Sequence, residues 1–232
     1  MGPLYIVSTP IGNSEDISLR ALRILSEADL IAAEDTRHTR KLLSMHNIKA
    51  GKTISYHDHN KDSRSLQIID KLKNNEISSA ALVSDAGTPG IADPAYRIVR
   101  AFLDEGGEVI PVPGASAFLA ALVASGLPAD RFVFENFAPV KSGKRKTWLE
   151  SLQGEKRTVI FYESPHRILK TLAAMREVLG NINIVVAREI TKLHEEFLRG
   201  FISDLHEGLS KGKIRGEFAV MFNLRTAERR ND

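Results

Sequence analysis

The sequence of 232 residues, 43% hydrophobic and 26% charged, is long and apolar enough to bury the core of one large domain or two small ones. It contains no cysteine, which excludes disulfide staples, thiolate nucleophiles and cysteine-ligated zinc or iron–sulfur centres. No apolar run reaches the roughly 18 residues of a membrane-spanning helix, and the formal charge of +3 permits an RNA partner without requiring one.

The opening residues, Met1 to Ser8, have the form of a strand rather than of a basic-then-apolar signal peptide, so a cytoplasmic enzyme is the expected class. Strand and helix signals then alternate. Leu4–Ser8 is a predicted strand. Ser18 is placed to cap a helix whose apolar positions are Leu19, Leu22 and Leu25. Leu30–Ala33 is a second strand, closed by the charged cluster Glu34-Asp35-Thr36-Arg37, with Asp35 as a helix cap and the following helix reaching Leu43. A strand over Thr53–Tyr56 and a helix over Ser65–Lys73 come next. Ala80–Ser84, the helix Ala92–Asp104 and the strand Glu108–Pro111 continue a βαβ rhythm, which argues a mostly parallel sheet covered by helices.

The second half has a different texture. Arg131–Asn136 and Thr158–Tyr162 are strands rich in aromatic and β-branched residues, and Ser164-Pro165 has the form of an N-cap followed by proline at the first helical position. Ile168, Leu172, Met175 and Leu179 follow helical spacing up to Gly180. Ile184–Ala187, Glu196–Phe201 and Glu217–Asn223 are strands, with a helix over Ser203–Lys211. Nearly consecutive strands imply antiparallel pairing and a mixed sheet. The expected architecture is therefore α/β with two domains, residues 1–114 and 115–232. The apolar segment Ala115–Val123 is expected to bridge them.

Ligands of open α/β sheets sit at the carboxyl ends of the strands, and three glycine-bearing turns follow predicted strands here: Pro10-Ile11-Gly12-Asn13, Gly87-Thr88-Pro89-Gly90 and Pro113-Gly114. Pro-Gly pairs form turns with or without a ligand, but three on one sheet edge suggest a shared cleft. The segment has none of the P-loop, dinucleotide-fingerprint, nucleophile-elbow or zincin signatures. His57 and His59 are spaced two apart in SYHDHNK, as in metal sites at strand ends, yet no second spaced cluster supplies further ligands; polar cleft lining is the other reading and no metal is assigned. Two basic runs stand out. Lys141–Lys146 (KSGKRK) is expected as a solvated loop or helix face, or else as a flexible basic loop suited to phosphate contacts, and Arg225–Arg230 adds three cations against one glutamate.

The segments LYIVSTPIGNSEDISLRAL, LIAAEDTR, SYHDHN, LVSDAGTPGIADP, PVPGASA, VIFYESPHR, AREITKLHEEFLRG and RGEFAV, in that order from Leu4 to Val220, resemble the ribosomal RNA small-subunit methyltransferase I family of the tetrapyrrole methylase superfamily. The resemblance implies a two-domain α/β fold, a homodimer, S-adenosylmethionine (SAM) in a cleft between the domains, and methyl transfer to the 2′-oxygen of a cytidine in the decoding region of 16S rRNA within the 30S subunit. It places Pro10 and Gly12 in the first cofactor loop, Asp85, Gly87 and Thr88 in the second, and Ser116 with Ala117 in the third. Tyr162 takes the adenine side, and Gly216 to Phe218 the closing strand. Ser14 departs from the family's usual leucine, which touches local packing. Many relatives carry a C-terminal extension beyond the point where this sequence stops, so RNA grip is expected from the body, the Lys141–Lys146 segment and the dimer partner.

On chemical grounds a ribose hydroxyl needs a base, and Glu34, His57, His59 and Glu163 are candidates, left open among themselves. Arg37 and Arg167, by their strand-end placement, are expected to hold RNA phosphates near the reacting centre. Competing readings are a superfamily methylase acting on a small tetrapyrrole, a non-catalytic ribosome-binding factor and, more distantly, a metal-dependent hydrolase.

Overall fold

A computed structural model describes residues 1–49 and 51–230. The chain divides into two compact units, Met1–Ser116 and Ala117–Asp232.

The first unit is a 5-stranded sheet in the order β3-β2-β4-β1-β5, formed by β1 (Leu4–Val7), β2 (Leu30–Ala33), β3 (Lys52–Ser55), β4 (Ala80–Val83) and β5 (Val109–Val112). Every pairing is parallel. Of the three inner strands, β2 (LIAA) and β4 (AALV) are buried at every position because helices cover both faces. Along β2 the side chains alternate. Leu30 and Ala32 pack with Phe102 and Ile98 of α4 (Ala95–Asp104) and with Ile68 and Leu72 of α3 (Lys61–Lys73). Ile31 and Ala33 face Ile24 and Leu25 of α1 (Leu19–Glu27) and Leu43 of α2 (Thr36–Met45). Pro111, which has no N–H to give a second neighbour, sits on the edge strand β5. Ser18 accepts the Ala21 N–H at 3.1 Å and Asp35 that of Arg37 at 2.8 Å, so both predicted caps are in place.

The second unit carries a 6-stranded sheet in the order β11-β8-β10-β7-β6, with β9 also on β8. Its strands are β6 (Phe132–Phe137), β7 (Thr158–Glu163), β8 (Asn181–Arg188), β9 (Glu196–Phe201), β10 (Phe218–Phe222) and β11 (Arg229–Arg230). β6 and β7 are parallel; the remaining pairs are antiparallel, so the sheet is mixed. One face packs Phe161, Val186, Val220 and Phe222 under α6 (Ser142–Ser151), α7 (Ile168–Leu179) and α8 (Ile202–Ser210). The other packs Ile160, Val185 and Met221 under the apolar α5 (Ala117–Ser125).

Of its readings the KSGKRK segment takes the helical one: it forms the start of α6, because Arg145 and Leu149, four apart, both turn inward and are buried. Ser164, expected as an N-cap, does not cap α7, which begins at Ile168. The Ser164 hydroxyl accepts from Arg167 Nε at 3.1 Å, and its carbonyl takes the Arg167 and Ile168 N–H groups in a preceding turn. The C-terminal run is likewise partly structural: Arg229 pairs across β8 and donates to the Leu179 carbonyl at 3.1 Å, closing the end of α7.

Phe102 is fully buried beneath Gly107, where an added Cβ would stand 2.5 Å from the ring. Phe102→Ala is expected to cost about 3–5 kcal/mol, read as a lower urea midpoint with an unchanged slope.

Candidate active site

β1 and β4 are neighbours, yet the chain leaves them in opposite directions. After β1 it enters α1 on one face of the sheet; after β4 it enters α4 on the other. Adjacent strands with diverging exits open a crevice at their carboxyl ends, the usual ligand position of such sheets. Here the crevice is stitched across its base. Thr9 and Gly87 exchange backbone hydrogen bonds of 2.9 and 3.0 Å. Gly87 holds φ +81°, and a Cβ there would approach Ile11 Cγ2 at 3.3 Å, so glycine is the fitting residue on both counts.

The third loop joins the same network. Thr88 Oγ1 donates to the Ala115 carbonyl at 3.1 Å, which leaves the Ser8 hydroxyl to donate to Thr88 at 2.9 Å. Gly114 lies against Ser8 so closely that a Cβ would stand 2.9 Å from the serine Cβ. Within the first unit the structure thus brings together the loops of Pro10 and Gly12, of Asp85, Gly87 and Thr88, and of Ser116.

Carboxylates ring the neighbouring strand ends. Asp85 accepts the Asp35 N–H at 2.8 Å and sends its own N–H toward Glu34 Oε2 at 3.5 Å. Asp35 is held well below the usual carboxylate range by its hydrogen bonds from Arg37, side chain first and backbone second. Glu34 is an exposed residue whose carboxyl lines a small cleft with Tyr56, Ser84, Pro89 and Asp93. Desolvation there, reinforced by the Asp85 charge, raises the Glu34 carboxyl above its ordinary value. Burial likewise raises Asp93, which accepts from Gly90 and Ala95. His57 and His59 stand edge to face at 5.9 Å, with Asn60 Nδ2 3.3 Å from His57 Nε2 and His57 Nδ1 buried without a hydrogen-bond partner among the described residues. Arg37 is 88% exposed at its side chain and paired with Asp35 at 2.8 Å.

In the second unit Tyr162 accepts the Phe118 N–H at 3.0 Å, fastening the first turn of α5. Burial pushes its phenol up to about 12, so it stays protonated at neutral pH. Ala117 begins that helix. Gly216 holds φ +89° pressed on Glu189, whose Cγ a Cβ would approach at 2.5 Å. Phe218 is 2% exposed and turned into the core. Glu163 is 1% exposed and fully engaged: Arg167 at 2.8 Å, the Ser164 N–H at 2.7 Å and the Thr171 hydroxyl at 2.6 Å. With no oxygen left over, it is a clamp rather than a proton acceptor. Arg167, which also donates to the Ala138 carbonyl at 3.1 Å, is the other half of that clamp rather than a free phosphate ligand.

Sequence reasoning passed over Ser8, Thr9 and Phe118, because each acts through a partner tens of residues away and no local spacing reports such a pair.

A model of the tetrapyrrole (corrin/porphyrin) methylases matches residues 3–206. The chain is 49% identical over 220 residues to ribosomal RNA small subunit methyltransferase I of Halalkalibacterium halodurans, covering 95% of this chain and 75% of that protein. To the Thermotoga maritima protein of the same name it is 45% identical over 223 residues, covering 96% of this chain and 99% of that one. Among solved structures, a diphthine synthase superposes with a TM-score of 0.75 at 16% identity, covering 96% of this chain and 90% of the other. A Thermus thermophilus uroporphyrin-III C-methyltransferase complexed with S-adenyl homocysteine gives 0.65 at 17% identity, covering 97% and 99%. These two show the same fold.

A raised acid pKa in the folded state means that Glu34 favours folding when protonated, and that this contribution fades as pH rises through the elevated value. Glu34→Gln is therefore expected to raise the melting temperature at pH 7–8, with the difference closing below about pH 4.3, the ordinary glutamate value. Parallel thermal melts across that range check it.

Proposed function

The chain belongs to the ribosomal RNA small subunit methyltransferase I family within the tetrapyrrole methylases, and from that premise we propose that it transfers a methyl group from SAM to the ribose 2′-oxygen of a cytidine in the decoding region of 16S rRNA. The observation that carries the reading is the 49% identity spread over 95% of the chain. The proposed setting is the cytoplasm, with the 30S subunit as substrate and the enzyme as a homodimer. Among the described residues no helix is long and apolar enough to cross a membrane.

The crevice of the first unit fits the cofactor's chemistry. Its loops offer backbone at Gly87 and Gly114, where side chains would collide, and the Asp85 carboxylate stands ready to accept from a hydroxyl or ammonium group. Pro10, Gly12, Asp85, Gly87, Thr88 and Ser116 would hold the cofactor there; the family pattern adds Ala117, Tyr162, Gly216 and Phe218. Bound SAM supplies a methyl group already activated on a sulfonium. The protein's own work is then to orient the acceptor oxygen, exclude water and receive its proton. Of the candidate bases we assign that proton to Glu34. Its carboxyl, at the sheet's ligand edge, is raised above its ordinary value by desolvation and the Asp85 charge, whereas Glu163 is sealed in its clamp. His57 and His59 line the neighbouring strand end and are assigned to acceptor contacts.

Purified protein with labelled SAM and unmodified 30S subunits should yield a 2′-O-methyl cytidine in the decoding region, mapped by ribose-sensitive primer extension. Light scattering should give twice the mass of one chain. Glu34→Gln should lower kcat by about 10²–10⁴ while SAM affinity holds. SAM binding without transfer to 30S would favour a small tetrapyrrole acceptor; no SAM binding would favour a non-catalytic ribosome-binding role.

A further inference from the structure

The carboxyl ends of the parallel pair β6 and β7 hold a charge that nothing among the described residues neutralises. Arg145, in the first turn of α6, is 6% exposed. Its Nη1 reaches the Pro139 carbonyl at 3.4 Å, while its Nε is buried with no partner among the described residues. Beside it Arg167 donates to the preceding carbonyl, Ala138, but Arg167 has Glu163 as counter-charge and Arg145 has none. Glu135, on β6, accepts the Trp148 indole N–H at 2.9 Å and makes no ion pair with Arg145 among the described residues. A buried guanidinium without a carboxylate is a costly arrangement unless an anion arrives.

The surroundings point to one. α6 and α7 both begin at this edge, and neither has a side-chain cap, so the positive ends of both helices lie there. Lys141, Lys144 and His166 are exposed there, and the first two make no ion pair among the described residues. Phe137, at the end of β6, is 52% exposed, but its ring leans on Tyr162 with centroids 5.4 Å apart, so it belongs to the α5 side of the sheet and not to this group.

We propose that Arg145, with Lys141, Lys144 and the two helix starts, forms a built site for a backbone phosphodiester of the RNA substrate. The guanidinium fork is suited to phosphate contact through its terminal nitrogens. The inference rests on the RNA reading of the preceding section for the identity of the anion; the unneutralised guanidinium stands apart from it.

The test uses the full-length protein and a fluorescein-labelled single-stranded RNA carrying the decoding-region sequence, titrated over a range of salt. Arg145→Met keeps the buried stem and removes the fork. It should weaken RNA binding on the order of tenfold and flatten the plot of log affinity against log salt by about 0.7, one single-strand phosphate contact. SAM affinity by calorimetry should be unchanged, and the melting temperature should not fall, since an unpaired buried cation is removed. RNA affinity and salt slope equal to wild type would overturn the proposal and leave Arg145 as a brace on Pro139. Should Arg145→Met not fold, Arg145→Lys and Lys144→Gln carry the same test, and wild-type slopes in both overturn it. The two readings separate cleanly. An Arg145-dependent slope in a protein that methylates no rRNA keeps this site and removes the activity; normal transfer with an unaltered slope does the reverse.

Discussion

The reciprocal backbone pair between Thr9 and Gly87 is the constraint on which the candidate site depends. The chain turns one way after β1 and the other way after β4, so the ends of these neighbours would part if nothing spanned them. Spanning them buries polar groups: Ser8, Thr9 and Ser84 are 2%, 3% and 8% exposed. Each such hydrogen bond contributes only about 1 kcal/mol net, yet leaving its donor unmet costs about 1–3. The network is therefore held together more by what its loss would expose than by what each bond adds. That asymmetry fixes the loop positions. Thr88 is oriented by Ala115, Ser8 by Thr88, and Gly114 has no room for anything larger. The crevice takes its shape from the protein's own contacts, which is the condition for orientation to count toward rate.

Charge is treated differently at the two strand-end clusters. In the first unit, carboxylates outnumber their partners: Asp35 has Arg37, Asp85 has a backbone N–H, and Glu34 is left beside another acid in a desolvated cleft. In the second, Arg167 has Glu163 as its partner, and Arg145 is left without one among the described residues. Fold stability alone would have removed both, since surplus buried or crowded charge weakens the native state. Strained charges of this kind collect where a protein must act on something else. Their signs also fit the division of labour. A surplus carboxylate receives a proton; a surplus guanidinium receives an anion.

Much of the framework is legible in the sequence because it rests on short-range physics. LIAA and AALV have no polar position, so they had to be doubly covered strands, and Ser18 and Asp35 are caps by side-chain chemistry alone. Gly87 in a turn after an apolar strand marks a ligand edge by the same local logic. What was not legible depended on distant partners. Ser164 has every local feature of an N-cap, but its hydroxyl is claimed by Arg167 and its N–H by Glu163, so the helix starts at Ile168 instead. Glu163 and Arg167 have the look of site residues by position and prove to be each other's partners. Tyr162 contacts the Phe118 N–H across 44 residues, a pairing no window on the chain contains.

The KSGKRK run shows why counting charge in a sequence misleads. Its four cations have three different fates. Lys146 is spent on Glu177 at 2.7 Å, an exposed pair of the sort that contributes about 0–1 kcal/mol. Lys141 and Lys144 are solvated. Arg145 alone is inside, and it is inside because α6 is a helix: the residue four positions on, Leu149, is core, and the spacing carries Arg145 to the same face. Had the segment been a loop, all four would be equivalent and interchangeable. Helix formation makes them unequal. It converts a diffuse basic tract into one directed donor with two mobile cations at its rim, so recognition at this edge is set by geometry before it is set by net charge.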